Sequence, residues 1–251
     1  MTTIATIHTN KSPAEKQPMG WPSLYRLAGV TALLAILIVL TDILLTFLPA
    51  GAEQPGTLTA RDWFTLFQDN AFFGLRNLGL LPNILTLCLL IPIFLALYVI
   101  HRRADAALAM IVFLVGAGIY LSNNAAFPMW ALSTKYAAAT TEGQRTVIAA
   151  AGEAVLARGE DFTPGSFAGI LLPDIAVLLV SSAMLRGGIF GKVTACTGMF
   201  GSLFLAVFTV WATFIPVFFG AAILLAMFGG LLNMAWYVLT ARRLFQLSRD
   251  Q

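Results

Sequence analysis

Long apolar stretches separated by short polar ones run through this chain from about residue 21 onward. Between Lys192 and Arg242 no charged residue occurs at all. A single helix over 193–241 would be roughly 74 Å long, about twice the length that a bilayer requires. The pattern therefore predicts a hairpin of two membrane helices that turns at Pro216. The uncharged stretches 77–100 and 106–126 predict two further spans.

Two more spans are predicted only if each contains an acidic residue. The uncharged run between Arg26 and Asp42, "LAGVTALLAILIVLT", has 15 residues and is too short to cross alone. Asp174 likewise interrupts the stretch between Asp161 and Arg186. The sequence thus predicts an all-α, polytopic transmembrane helical bundle with six membrane-spanning helices. Their predicted bounds are 24–48, 75–100, 106–126, 165–185, 193–213 and 217–240.

The first apolar segment has a second interpretation. The stretch "LPAGAEQ" contains an A-x-A pattern at 50–52, which is typical of a signal-peptide cleavage site. However, the apolar segment is longer than a usual signal core, and Asp42 interrupts it. These features favour a retained helix. We therefore expect a disordered, polar cytoplasmic tail over 1–20 and a single transmembrane domain over 21–251.

Composition and charge distribution agree with a membrane protein. Hydrophobic residues make up 59% of the chain and charged residues 11%, against about 25% charged in a soluble domain. Ten of the 15 basic residues fall on one side of a six-helix path, and the positive-inside rule then places both termini in the cytoplasm. These ten are Lys11, Lys16, Arg26, Arg102, Arg103, Arg186, Lys192, Arg242, Arg243 and Arg249. The same path places Trp21 and Trp236 near the inner interface and Trp63, Trp130 and Trp211 near the outer one.

Two outer loops are the sizeable parts predicted outside the membrane. Residues 49–73 read as a short polar loop. Residues 127–164 contain one predicted amphipathic helix, with Thr141 and Gln144 forming a capping box at its start. Its predicted apolar face consists of Val147, Ile148, Ala151 and Val155.

A polar cluster is predicted in the outer half of the bundle. Arg76 and Asn83 are seven residues apart and share a helix face. Asn83 is predicted near the depth of Asp42 and Asp174, and Arg76 nearer the outer surface, from which its long side chain can reach inward or snorkel outward. Ionisable groups at this depth cost several kcal/mol unless they are paired or hydrated, so we predict Arg76 as the counter-charge of both acids. The cluster either fixes helix packing or binds a ligand or ion. The candidate binding residues are Asp42, Arg76, Asn83, Asn123, Asn124 and Asp174, whereas Asn233 is predicted to form an interhelical hydrogen bond.

Signatures of catalysis, metal binding and redox chemistry are missing from the sequence. It contains no HExxH or GxSxG motif, and no histidine lies inside a predicted span. Cys88 and Cys196 lie in apolar stretches without a CxxC partner. We therefore predict no catalytic residue, no metal site and no cofactor.

Several stretches resemble a known family. "LYRLAGVTALLAILI", "DWFTLFQDNAFFGLRNLGLL", "SNNAAFPMWALSTKYAAATTEGQR" and "ARRLFQL" are similar to bacterial six-helix integral membrane proteins catalogued only as a domain of unknown function. The resemblance implies a six-helix bundle in a bacterial membrane and implies no activity.

Three functions are compatible with the sequence. The favoured one is a non-catalytic structural or regulatory membrane subunit. The alternatives are a small-solute or ion carrier, coupled to protons, that uses the outer polar cluster, and a membrane-embedded lipid-modifying enzyme. The expected environment is the plasma-membrane bilayer, with a protein partner or a second copy as candidate partners and no nucleic acid.

Overall fold

The computed structural model of the chain describes residues 21–48, 58–102, 106–215 and 219–250. The predicted tail over 1–20, the A-x-A pattern at 50–52 and the turn at Pro216 lie outside the described residues. Within those ranges the chain folds into α1 (Pro22–Thr46), α2 (Ala60–Asp69), α3 (Ala71–Asn77), a π-helix (Leu80–Leu85), α4 (Thr86–Ile100), α5 (Ala106–Asn123), α6 (Ala126–Ala138), α7 (Glu142–Gly159), α8 (Phe167–Gly187), α9 (Lys192–Phe214) and α10 (Phe219–Arg249).

Six helical segments in the described part of the chain are long and apolar enough to cross a membrane. They contain α1, α4, α5, α8, α9 and α10. Each packs against the next in chain order, and α10 returns to pack against α1, so the six form a closed ring. This confirms the all-α helical bundle: the chain is a multi-pass membrane protein. Large apolar side chains that are more than half exposed cover the outside of the ring, as contact with lipid requires, among them Leu37, Leu44, Ile111, Phe200, Leu224 and Leu231.

Apolar side chains fill one half of the ring, which we call the basic end because Arg102, Arg186 and Lys192 lie there. The rings of Phe94 and Phe113 stack with centroids 4.2 Å apart. Trp236 is fully buried in the same core. The indole therefore packs between helices, and its depth near the inner interface stays a prediction.

The opposite half of the ring, the capped end, is covered by α2, α3, α6 and α7. These helices share a core of their own, with Trp63, Phe64, Met129 and Leu156 buried in it. The polar loop predicted over 49–73 thus contains α2, which begins with a capping box between Thr59 and Asp62. Trp63 is buried in this core, and its place near the outer interface stays a prediction.

Helix α7 matches the predicted amphipathic helix, including the capping box of Thr141 and Gln144. The predicted apolar face is only partly covered by other helices, since Val147 is 70% exposed and Ala151 is also exposed. The buried positions are instead Gly152, Leu156 and Gly159. Gly152 permits this orientation, because a Cβ at position 152 would lie 2.7 Å from the Cβ of Ala60 and 2.8 Å from the ring of Phe64.

Candidate functional site

A cavity of about 460 Å³ lies inside the ring, next to the capped end. All six spanning helices contribute to its walls, together with α3, the π-helix and the segment between α7 and α8. Three carboxylates line it, from Asp42, Asp161 and Asp174, along with the guanidinium of Arg76. Most of the remaining wall is apolar, including Leu90, Val177 and Phe208.

Arg76 joins α3 to α1 at one side of the cavity. Its Nε donates to Asp42 Oδ1 at 2.7 Å, and its Nη2 donates to the Asp42 carbonyl oxygen at 2.7 Å. Nη2 also donates to the Thr46 hydroxyl, and Nη1 donates to Asn77 Oδ1 at 2.8 Å. Only 7% of the Arg76 side chain and 18% of that of Asp42 are exposed. The predicted pairing of Arg76 with Asp42 is confirmed, and all three guanidinium nitrogens are engaged by nearby residues.

Asp161 is a cavity carboxylate that the sequence analysis did not select. Tyr120 donates its hydroxyl proton to Asp161 Oδ1 at 2.7 Å, and Asn83 Nδ2 donates to Oδ2 at 2.8 Å. Asn124 Nδ2 donates to the Tyr120 hydroxyl at 2.9 Å and to the Leu78 carbonyl at 2.8 Å. Burial raises the pKa of Asp161 to about 6, although the hydrogen bonds from Tyr120 and Asn83 oppose the shift. Asp161 is therefore poised to exchange a proton near neutral pH.

The backbone before α4 brings Asn83 to Asp161. Gly79 has φ +88° and separates α3 from the π-helix, so the second span begins at Leu80 and not at the predicted residue 75. The amides of Asn83 and Ile84 both donate to the Gly79 carbonyl, at 3.2 and 2.9 Å. A Cβ at position 79 would collide with the Tyr120 hydroxyl and lie 3.0 Å from Asp161 Oδ2. Glycine is required there both for the left-handed backbone and for the close approach. Short π-helical turns frequently occur at functional sites.

Asp174 lies deeper in the cavity and is not a partner of Arg76. Thr209 of α9 and Tyr237 of α10 lie near its carboxyl group. Within the described residues Asp174 forms no ion pair, so Arg76 is the counter-charge of Asp42 but not, as predicted, of Asp174 as well. The reason is that Arg76 reaches across to α1, whereas Asp174 projects from α8 toward α9 and α10.

Asn233 on α10 also lines the cavity. Only 7% of it is exposed, and its amide oxygen accepts no hydrogen bond from the described residues. The predicted interhelical hydrogen bond is therefore not formed. A buried amide without a partner usually reflects a bound water, an ion or a functional role.

The two asparagines at the end of α5 lie outside the cavity wall. Asn123 accepts from Arg158 Nε at 3.1 Å and Nη2 at 2.9 Å, which ties α7 to α5 near the surface. Asn124 stands behind Tyr120 and orients its hydroxyl. Of the six predicted binding residues, Asp42, Arg76, Asn83 and Asp174 line the cavity. Their role in binding stays a prediction.

Comparison of the chain with protein-family models, with curated proteins and with solved structures finds no match. The resemblance to a bacterial membrane family stays an expectation from the sequence. The functional argument therefore depends on the chemistry of the cavity alone. Its size falls within the 300–1,000 Å³ that is usual for small-molecule sites, and mostly apolar walls with a few polar groups are typical of them.

Proposed function

We propose that this protein is a carrier that binds a small organic cation in the cavity and couples its movement to protons. The observation behind the proposal is a charge imbalance. Three carboxylates line the cavity, and the arginine among its lining residues is hydrogen-bonded to Asp42, Thr46 and Asn77. Carboxylates in such a low-dielectric site are stabilised by a bound cation or by protonation.

An organic cation fits the walls better than an anion or a bare metal ion. A carboxylate or phosphate ligand would need an available cationic donor, and Arg76 is already engaged with α1 and Asn77. The described residues contain no group of three or more side chains suited to holding a metal ion. Apolar walls with Phe162, Phe208 and Tyr237 among them favour an ammonium group with hydrocarbon substituents, since aromatic faces attract such cations.

The cavity favours the carrier over the structural or regulatory subunit that the sequence alone suggested. A subunit whose polar residues only join helices has no use for a 460 Å³ internal space. Groups that only fix helix packing would also be fully paired, since leaving them unpaired in the membrane is costly. Among the described residues Asp174 has no cationic partner, and the buried amide oxygen of Asn233 accepts no hydrogen bond.

The proposed orientation places the capped end outside the cell and both termini in the cytoplasm of a bacterial plasma membrane. It is supported by the excess of basic residues at the basic end. Cysteine modification would test it in whole cells. Val147→Cys, 70% exposed on α7, should react with a membrane-impermeant maleimide before lysis, and Asp250→Cys only after lysis. The reverse result would invert the proposed topology.

Binding in lipid nanodiscs would test the cation proposal. Choline carries a permanent charge, and 3,3-dimethyl-1-butanol is its neutral isostere. We expect choline to bind more tightly than the isostere, and Asp174→Asn to weaken choline binding at least tenfold. Asp69→Asn, an exposed carboxylate at the end of α2, is the matched control and should leave binding unchanged. Equal binding of the two probes, or no effect of Asp174→Asn, would contradict the proposal.

Transport is measured separately in proteoliposomes. Choline flux should rise when a pH gradient is imposed, and Asp174→Asn should abolish that flux. A protein that binds choline but shows no flux would be a cation receptor and not a carrier.

A further inference from the structure

We infer that the cavity opens sideways into the bilayer through a cleft between α1 and α10, so that the ligand is an amphiphilic amine entering from the lipid phase. In the bound state the ammonium group would lie among the cavity carboxylates and the alkyl chain would lie in the cleft. This inference rests on the proposed cation site and specifies its substrate class.

The two helices pack tightly only toward the basic end. A Cβ at Gly29 of α1 would come within 2.8 Å of the Phe245 ring of α10, and Ala28 and Ala32 are fully buried. The buried positions of α1 end at Ala35. From there to Leu48 no residue of α1 is buried, although Val39, Asp42 and Thr46 line the cavity.

Thr46 shows that the cavity reaches the surface of the ring at α1. This residue lines the cavity and is nevertheless exposed. Asp42, one turn earlier, keeps 18% of its side chain exposed. An enclosed cavity would bury such residues, so the described residues leave the wall open beside this part of α1.

The position of Arg76 decides which flank of α1 is open. Its hydrogen bonds to Asp42 and Thr46 close the flank that faces α3 and α4. The other flank faces α10, where Gly230 lines the cavity. A Cβ at Gly230 would meet no atom within 4 Å. The cleft therefore lies between the second half of α1 and the part of α10 around Gly230.

The surroundings of the cleft match an amphiphile. Leu44 on α1 is 69% exposed, and Phe228 and Leu231 on α10 are each 60% exposed. These side chains face acyl chains, because a gap between two spanning helices at this depth opens onto lipid. Asp42 lies four residues before the end of α1, about 6 Å along the axis, so the opening is level with the outer part of the acyl region. A molecule in the cleft meets hydrocarbon outside and carboxylates inside.

Blocking the cleft should weaken the binding of an amine with a long alkyl chain more than the binding of a short amine. Dodecyltrimethylammonium and choline carry the same head group, and only the former has a chain for the cleft. We expect Gly230→Trp to weaken dodecyltrimethylammonium binding at least tenfold more than it weakens choline binding. Gly118→Trp is the matched control, because Gly118 is exposed on α5 and a Cβ there also meets nothing within 4 Å. Equal effects on both amines, or none on either, would overturn the inference.

A second measurement needs no ligand. A bimane label on Met234→Cys, inside the cavity, is placed in nanodiscs whose lipids carry brominated acyl chains, with Cys88 and Cys196 replaced by alanine. Bromine should quench the label, and Gly230→Trp should reduce the quenching while Gly118→Trp does not. An unquenched label would overturn lateral access even if choline binds. Quenching without binding of either amine would retain the cleft and reject both the cation site and the amphiphilic amine as its substrate.

Discussion

Replacing Gly79 by alanine is the most direct test of the hydrogen-bond network around Asp161. Gly79 has φ +88°, and a Cβ added there collides with the Tyr120 hydroxyl and lies 3.0 Å from Asp161 Oδ2. The methyl group can be accommodated only if Tyr120 moves away from Asp161. The variant therefore removes one hydrogen bond to a buried carboxylate without changing either partner.

Two contributions set the size of the effect. A left-handed backbone costs a non-glycine residue about 1–2 kcal/mol. Loss of a hydrogen bond to a charged group costs about 1.5–3 kcal/mol. Gly79→Ala should therefore lower the free energy of unfolding by about 2.5–5 kcal/mol, the sum of the two.

Gly188→Ala is the control that separates these contributions. Gly188 also has a left-handed backbone, with φ +66°, but a Cβ there meets nothing within 4 Å. It should show only the backbone cost. Reversible unfolding in mixed micelles, followed by circular dichroism, gives both values. In a Tyr120→Phe background the excess cost of Gly79→Ala should shrink. Equal destabilisation by the two alanines would refute the proposed collision with Tyr120.

Three further predictions address the other polar groups. Asp42→Asn and Arg76→Gln should each lower the free energy of unfolding by about 3–5 kcal/mol, because each leaves a buried charge without its partner. The double variant should lower it by clearly less than the sum of the two single effects. Additive effects would contradict the ion pair. Burial raises the pKa of Asp161 to about 6, so the folded state binds this proton more tightly than the unfolded chain does. This contribution to stability should be fully present below about pH 4 and be lost as pH rises through 6, by about 3 kcal/mol in total. The slope should disappear in Asp161→Asn, as measured by denaturant titration across pH. Asn233→Ala should leave the melting temperature nearly unchanged, since its amide oxygen has no described partner. Asn83→Ala should lower the melting temperature, because Asp161 loses a hydrogen-bond donor. Equal decreases in melting temperature would contradict the different roles assigned to the two asparagines.

The spans were predictable because membrane insertion depends on local composition. Each uncharged apolar stretch must cross, and a charge inside one, such as Asp42, must find a partner nearby. Arg76 was the available cation at the same depth, so their pairing could also be derived. The contact between α1 and α10 that closes the ring could not be predicted. The apolar residues of a membrane helix do not show which of its faces meets another helix.

Asp161 escaped the sequence analysis for a related reason. It stands in a loop next to Glu160, where a charge normally faces water and marks the end of a span. Its burial depends on helices distant in sequence: Asn83 is 78 positions away and Tyr120 is 41. The cap that encloses this region depends on small residues such as Gly152 and Gly159, which the apolar pattern of α7 does not reveal. The burial of Asp161 and the packing of α7 thus escaped prediction for the same reason, since both depend on contacts between residues distant in sequence.

The sequence left two explanations for its polar residues, helix packing or a binding site. In the structure, each explanation fits a different set of these residues. Asp42 with Arg76, and Asp161 with Tyr120 and Asn83, form paired networks that join the helices. Among the described residues Asp174 has the Thr209 hydroxyl as a hydrogen-bonding neighbour but no cationic partner, and the amide oxygen of Asn233 has no described partner. Variants of the paired groups should therefore unfold the protein before they reveal a defect in binding. Variants of Asp174 and Asn233 should lose binding while the fold persists, because Asp174 has no counter-charge and the Asn233 amide oxygen has no hydrogen-bond partner among the described residues.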